Sequence, residues 1–195
     1  MFLTTLQISI VNFWKNLYNR LTSFSRGDIM SGYHMRWIVF SDMQEIISIE
    51  NQCFPFPWDE NDFEIHLRKK NHVGIAIVEK NKIIGYMIFS SEKNAYSIHS
   101  IAVDPQFQRK GYGTIMLNYL MIKMRSSVSS AKKMNIMVSD QNLSCHNFLK
   151  KNNFIANKIH RQYFGPMHDA YQFEIFVEND ENNLSEKSIL TSSRK

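Results

Sequence analysis

Residues 108–113, with the sequence Gln-Arg-Lys-Gly-Tyr-Gly, constrain the fold of this chain more than any other stretch. They follow a strand-like segment, residues 96–103, and precede an apolar helical stretch, residues 114–122. Two glycines let the backbone approach an anion closely, and the N–H groups of a first helical turn point at it. The helix dipole adds roughly half a positive charge there. The sequence therefore predicts a strand–turn–helix cradle for a phosphorylated ligand.

Two familiar phosphate-binding motifs do not fit this run. A P-loop places Ser or Thr directly after Lys, whereas Thr114 follows Gly113. A dinucleotide-binding fingerprint needs a third glycine and an acid about twenty residues further on. Met116 stands in place of that glycine, and no acid lies between Asp104 and Asp140. The cradle therefore belongs to neither class.

Length and composition predict one globular domain. Cys53 and Cys145 are far apart in sequence and match neither a disulfide nor a zinc pattern. We therefore expect reduced thiols in a cytoplasmic protein and no metal. No apolar run reaches the ~18 residues of a membrane span. The net charge of +5 forms no basic stripe with interleaved aromatic residues, so no nucleic-acid partner is predicted.

The N-terminal stretch is basic and can be amphipathic. Residues 1–27 hold three basic residues and no acid, and residues 8–21 can form a helix with one apolar and one basic face. Such a helix suits contact with a membrane surface or a transit peptide. A third interpretation is an extension ahead of the true start, because Met30 and Met35 both precede the domain. We favour a non-catalytic extension over residues 1–34.

Periodicity and turn residues predict an α/β fold with a mixed, mostly antiparallel sheet flanked by helices. The domain is expected over residues 35–177, and the polar residues 178–195 are predicted to be disordered. Asp42 is predicted to cap the first helix. In chain order we predict helices over 43–53 and 59–67, strands over 74–79, 83–89 and 96–103, a helix over 114–122, a strand over 134–138, a helix over 142–151, and a closing hairpin of 154–161 against 170–177.

Residues 101–113 resemble the acetyl-CoA signature of the GNAT superfamily of N-acetyltransferases, Gln/Arg-x-x-Gly-x-Gly/Ala after a hydrophobic strand. The predicted order of elements matches that fold over residues 35–177. The resemblance implies an acetyltransferase that uses acetyl-CoA as its cosubstrate. The cofactor-binding positions that it implies are Ile101, Ala102, Val103, Gln108, Arg109, Lys110, Gly111, Tyr112, Gly113, Thr114 and Asn142.

The resemblance gives each part of this set a role. The backbone of residues 101–103 would pair with the pantetheine arm of acetyl-CoA, and residues 109–114 would hold its pyrophosphate. Asn142 would hydrogen-bond the pantetheine region. Because Asn142 also opens a predicted helix, a capping role alone is an alternative.

Two further stretches narrow the resemblance to the ribosomal-protein-alanine acetyltransferases, the RimI group. One is the Phe-Pro-Trp turn, residues 52–58, which ends in Phe-Pro-Trp at 56–58. The alternative interpretation is that this turn is simply a packed corner of the fold. The other is the closing hairpin, in which Tyr-Phe at 163–164 is followed by Asp-Ala at 169–170. It is similar to a hairpin that the RimI group shares with the eukaryotic N-alpha-acetyltransferases. In those enzymes the two loops face each other across the first residues of the peptide, which implies a protein N-terminus as partner. The implied substrate-binding residues are Phe56, Pro57, Trp58, Tyr163 and Phe164.

The acid and base positions depart from the family pattern. The RimI group carries a glutamate where this chain has Met137 and a tyrosine where it has Leu149, and neither replacement can move a proton. The resemblance offers Tyr96 as a substitute catalytic residue, and Tyr163 comes from the closing hairpin. His99 is expected to face the opposite side of the sheet from Tyr96, as a core or surface histidine.

A site without a base favours one kind of amine. A peptide α-amine has a pKa near ~7.8, so roughly a third is neutral at about pH 7.5, whereas only about a thousandth of a lysine at ~10.4 is neutral. A lost general acid or base costs roughly 10²–10⁴ in rate. We therefore predict an N-alpha-acetyltransferase. Acetylation of a lysine or small amine, and a protein that binds acetyl-CoA without turnover, are the alternatives.

Overall fold

The computed structural model describes residues 32–125 and 132–176. The predictions of a basic amphipathic N-terminal helix and of a disordered C-terminal tail lie outside these residues. The described residues from His34 onward belong to one compact unit. Within the described residues, no helix combines the length and apolarity needed to cross a membrane.

The described part contains four α-helices and seven strands, which confirms the predicted α/β class. The helices are α1 (Met43–Cys53), α2 (Glu60–Leu67), α3 (Tyr112–Arg125) and α4 (Leu143–Lys151). The strands are β1 (Tyr33–Trp37), β2 (His72–Glu79), β3 (Lys82–Ser91), β4 (Ala95–Val103), β5 (Lys133–Ser139), β6 (Ile155–His160) and β7 (Ala170–Phe176). Short 3-10 helices occupy Phe40–Asp42 and Pro105–Phe107.

All seven strands form one sheet in the order β1-β2-β3-β4-β5-β7-β6. The β2–β3, β3–β4, β5–β7 and β6–β7 pairs are antiparallel, and the β4–β5 pair is parallel, as expected for the predicted mixed sheet. The turn between β2 and β3 holds Lys80 and Asn81 at φ 49° and 64°. Left-handed conformations at both central residues suit the twist of a tight hairpin.

Helices cover both faces of the sheet. Side chains alternate along β3, so Tyr86 and Ile88 join the core beneath α1, whereas Phe89 points to the other face. There Lys123 of α3 places its Nζ 5.5 Å from the centroid of the Phe89 ring. α1 and α3 therefore lie on opposite sides of the central strands.

The N-termini of α1 and α2 differ in whether the local sequence determines the N-cap. Asp59 and Asp62 form a reciprocal capping box that begins α2, close to the predicted start. Asp42 stands at the predicted N-cap of α1, but its carboxylate makes no cap bond to that helix. It pairs with Arg36 at 2.6 Å and accepts the Val39 N–H at 2.8 Å. The 3-10 turn before α1 thus takes the acceptor that the sequence assigned to α1.

Candidate active site

A gap opens in the middle of the sheet where β4 and β5 diverge. The two strands pair at four positions, ending at Ile98↔Ile136, and both continue beyond that pair. β4 stays paired with β3 along residues 101–103, so backbone groups that point away from β3 face the gap. An extended ligand can pair there as an additional strand. This is where the sequence predicts the pantetheine-binding segment.

Contacts within the protein already use part of that segment. The Val103 carbonyl accepts a hydrogen bond from Gln108 Nε2 at 3.0 Å and a contact from the Cys53 thiol at 3.3 Å. The side chain of Gln108, a predicted cofactor-binding residue, ties the turn to the end of β4, and its contact with the cofactor stays a prediction. Its side-chain amide therefore holds the cradle in position against the strand.

The predicted strand–turn–helix lies between β4 and α3, and phosphate binding there stays a prediction. The Asp104 carboxylate accepts the Gln106 N–H at 2.9 Å and starts the 3-10 turn. Arg109 and Gly111 then adopt left-handed φ values of 62° and 91°. A Cβ added to Gly111 would meet no atom within 4 Å, so the space beside this backbone is open. The amide groups of the first turn of α3, which lack intrahelical partners, adjoin that space.

Two exposed cations flank this space. The Arg109 guanidinium is 3.3 Å from the Ser144 hydroxyl of α4. The Lys110 ammonium lies 4.8 Å from the centroid of the Phe107 ring. Cations beside a helix N-terminus suit a pyrophosphate, so the residues present fit the expected cosubstrate.

Tyr112 and Gly113 serve the core as well as the cradle. The Tyr112 side chain is buried, and its hydroxyl donates to Glu79 Oε1 at 2.8 Å, so only its backbone can face a ligand. A Cβ added to Gly113 would lie 3.0 Å from the Phe148 ring. The second glycine of the motif therefore lets α3 and α4 approach closely. Thr114 is half-buried in the same turn.

Asn142 has the capping role that was its alternative interpretation. Its Oδ1 accepts the Cys145 N–H at 3.0 Å and so caps α4. A contact with the pantetheine region stays a prediction.

The Phe-Pro-Trp turn is held by a buried acid. The backbone N–H of Trp58 donates a hydrogen bond to Glu50 Oε1 of α1 at 3.1 Å. The Trp58 ring makes an edge contact with Phe63 and stacks on His66, with centroids 4.3 Å apart. Trp58 is therefore a packed corner, while Phe56 and Pro57 before it are exposed.

The turn meets the closing hairpin. The Phe56 ring is 71 % exposed and makes an edge contact with His168, at 5.6 Å between centroids. On the hairpin, Tyr163 and Phe164 are also exposed and contact each other at 4.9 Å.

Each loop is anchored to one side of the gap. Cys53, at the start of the Phe-Pro-Trp turn, contacts Val103 at the end of β4. The Asp169 carbonyl of the closing hairpin accepts the Asp140 N–H, just after β5, at 3.0 Å. The two loops therefore bridge the diverging ends of β4 and β5.

Glu50 belongs to a buried polar cluster that sequence reasoning missed. The Tyr86 hydroxyl donates to Glu50 Oε2 and lies 2.9 Å from the Ser100 hydroxyl of β4. Burial raises the pKa of Glu50 to about 7, although the hydrogen bond from Trp58 opposes that shift. The spacing of Ile46 and Glu50 places the acid on the apolar side of α1, and this was the available signal.

The predicted catalytic positions differ in burial. Tyr96 is 3 % exposed and pairs with Met134 in the closed part of the sheet. Met137 is half-buried on β5, just past the last β4–β5 pair. Leu149 is fully buried in α4. Catalytic roles for Tyr96 and Tyr163 stay predictions.

His99 joins a histidine cluster that no sequence spacing suggested. Its ring stacks on His72 at 4.5 Å and lies 5.0 Å from His66. Tyr96 instead lies beside Lys123 of α3, so the two β4 side chains contact elements on opposite faces. Burial, with smaller effects from the other two rings, lowers the pKa of His99 to about 4.

The Acetyltransferase (GNAT) family model matches residues 43–154, more than half of the chain, and the chain belongs to that family.

Individual proteins similar to this chain share less than 30 % of its sequence over the matched residues. The chain is 24 % identical over 102 residues to the bS18-alanine N-acetyltransferase of Escherichia coli, covering 52 % of this chain and 59 % of that protein. It thus spans about three-fifths of that relative. An N-alpha-acetyltransferase of Sulfurisphaera tokodaii is 27 % identical over 151 residues, covering 71 % and 90 %. Arabidopsis thaliana NAA60 in complex with acetyl-CoA has a similar fold, with a TM-score of 0.64, 17 % identity and coverage of 74 % and 99 %.

Proposed function

We propose that this protein is an acetyl-CoA-dependent N-alpha-acetyltransferase. The contact between Phe56 and His168 carries the proposal, because it brings two loops together over the gap between β4 and β5. A substrate amine that reaches the gap must pass these loops. An extended peptide end can enter beneath them, and exposed aromatic rings can pack on its first side chain.

The cosubstrate end of the site suits acetyl-CoA. The open backbone at Gly111 and the N-terminus of α3 can take the pyrophosphate, with Arg109 and Lys110 beside it. The unpaired side of β4 can receive the pantetheine amides as an added strand.

The reaction proposed is direct transfer. The neutral α-amine attacks the thioester carbonyl carbon, and the C–N bond forms. The C–S bond then breaks, CoA leaves as its thiolate, and the proton lost by the nitrogen passes to that thiolate or to solvent. An α-amine supplies its neutral form near neutral pH without help, which suits a site with Met137 at the family base position. The same argument disfavours lysine as substrate.

The finer proposal concerns the substrate. One relative named above is the alanine N-acetyltransferase of ribosomal protein bS18, and another is an N-alpha-acetyltransferase. We infer that this chain acetylates a protein N-terminus, with the alanine of a small-subunit ribosomal protein as the first to test.

The experiment is mass-spectrometric detection of acetyl transfer to peptides in competition. One peptide has a free N-terminal alanine and no lysine, a second has a blocked N-terminus and an internal lysine, and spermidine represents small amines. Transfer confined to the α-amine supports the proposal. Preferred transfer to lysine or spermidine overturns it.

A variant pair locates the peptide site. Phe56→Ala should raise KM for the peptide several-fold and leave the acetyl-CoA affinity unchanged, because the ring lies on the peptide loops. Phe40→Ala removes another exposed phenylalanine, 78 % exposed and outside both loops, and should change neither quantity.

The second candidate function is acetyl-CoA binding without turnover. It is favoured by Met137 and by the buried Leu149, which leave the two family proton-transfer positions apolar. Thermal protection by acetyl-CoA without transfer to any of the three amines would establish this candidate in place of the enzyme.

A further inference from the structure

Three histidines from separate elements converge on the α1–α2 face of the sheet. His66 comes from α2, His72 from β2 and His99 from β4. One ring nitrogen of each lies within 4.8 Å of the others. We propose that this cluster is a binding site for a divalent transition-metal ion of the zinc class, separate from the acetyl-transfer site.

The spacing of two nitrogens already fits an ion. Zinc binds imidazole nitrogen at about 2.0–2.1 Å, so two nitrogens on one tetrahedral ion are about 3.3 Å apart. Nδ1 of His66 and Nδ1 of His72 are 3.2 Å apart. A third imidazole completes the three-histidine set, which leaves one position for water.

The surroundings orient the ligands. The Ser90 hydroxyl lies 2.9 Å from His99 Nε2, and Ser90 is itself 1 % exposed. Trp58 stacks on the His66 ring and limits its rotation. Such outer contacts hold ligating rings in place and are normal around metal sites.

One ring has to move when the ion binds. His72 and His99 are stacked with an angle of 4° between their planes. An ion lies near the plane of each ring that ligates it, so parallel stacked rings cannot both bind it. Binding therefore requires one of these two rings to rotate about its Cβ–Cγ bond. The torsion about Cβ–Cγ in histidine is soft.

The choice of ion follows from the ligands. Three imidazole ligands favour Zn²⁺, Cu²⁺ or Ni²⁺ over Mg²⁺ or Ca²⁺. Occupancy would lock His66 beneath Trp58 and so stiffen the Phe-Pro-Trp turn.

The test is isothermal titration calorimetry, in which Zn²⁺ is added to the metal-free full chain after any affinity tag has been removed. We expect one ion per chain. His66→Ala and His72→Ala should each weaken binding roughly 10-fold or more, since even outer-contact changes have effects of that size. His34→Ala is the matched control, because His34 is an exposed histidine outside the cluster, and it should bind Zn²⁺ as the unchanged chain does.

A second readout removes the dependence on variant folding. Co²⁺ added to the unchanged chain should give visible absorption bands of a low-coordinate nitrogen site, and Zn²⁺ should abolish them. The absence of those bands, or equal Zn²⁺ binding by a His66→Ala/His72→Ala variant whose metal-free melting curve matches the parent, would overturn the proposal.

Discussion

Glu50 links the core to the substrate turn, and its ionisation should set part of the pH dependence of stability. Its pKa is about 7 in the folded protein against an ordinary 4.5. The folded state therefore holds a proton that the unfolded chain releases between these values. This contribution is present below pH 4.5 and is lost as the pH rises through 7. The total change is about 3 kcal/mol.

Glu50→Gln keeps the shape and stays neutral, so it should remove that pH dependence. We expect little difference in unfolding free energy from the parent near pH 4.5 and a gain that approaches about 3 kcal/mol above pH 8. Urea unfolding across this range measures it. Glu60→Gln, at an exposed acid, should leave the parent pH dependence in place; an equal effect there would contradict the assignment to Glu50.

Individual residues were predictable where the signal is local. Gly111 and Gly113 follow from the motif, and the start of α2 was predicted near Asp59, where the structure has its N-cap. The cluster around His99 was not predictable, because its three members come from a helix and two strands that only the tertiary fold brings together. No spacing rule along the chain encodes such a meeting.

At the scale of elements, the contact between α3 and α4 passes through a single small residue. A Cβ at Gly113 would lie 3.0 Å from the Phe148 ring. Overpacking costs about 1–3 kcal/mol, and replacing a helical glycine by alanine gains up to ~1 kcal/mol. We therefore expect Gly113→Ala to destabilise the protein by about 1 kcal/mol, measured by urea unfolding.

A double-variant cycle separates packing from backbone effects. Combined with Phe148→Leu, Gly113→Ala should become neutral or stabilising, because the smaller side chain can give way. Gly111→Ala should lose about 1 kcal/mol through its left-handed φ, with or without Phe148→Leu. Identical behaviour of the two glycines in the cycle would refute the packing argument.

The order of elements from α1 onward was predictable from apolar runs and turn residues, whereas β1 was not predicted as a strand. The structure extends several elements beyond their predicted bounds: α3 begins at Tyr112 and β3 runs to Ser91. Both 3-10 turns escaped prediction, since three residues are too few for a periodic pattern. One of them explains why Asp42 does not cap α1.

For the whole molecule, the absence of a carboxylate at Met137 predicts a pH–rate profile set by the substrate. We expect kcat/KM for a peptide to rise with pH in proportion to the neutral amine and to level off above ~8. Met137→Glu should raise the rate below about pH 7, by tenfold or more, if it restores a base. A parent profile that ignores the pKa of the peptide amine would instead indicate a base supplied by the protein.

The divergence of β4 from β5 also has a mechanical consequence. Among the described residues, the ladder between two half-sheets, β1–β4 and β5–β7, covers Ala95–Ile98 with Lys133–Ile136. One backbone bond lies just before it, from the Lys132 N–H to the Asn94 carbonyl at 3.0 Å. An extended ligand in the gap would contact both half-sheets and restrain their motion relative to each other. Amide hydrogens of β4 and β5 next to the gap should then exchange with solvent more slowly when acetyl-CoA is bound, whereas those of the β2–β3 hairpin should not change.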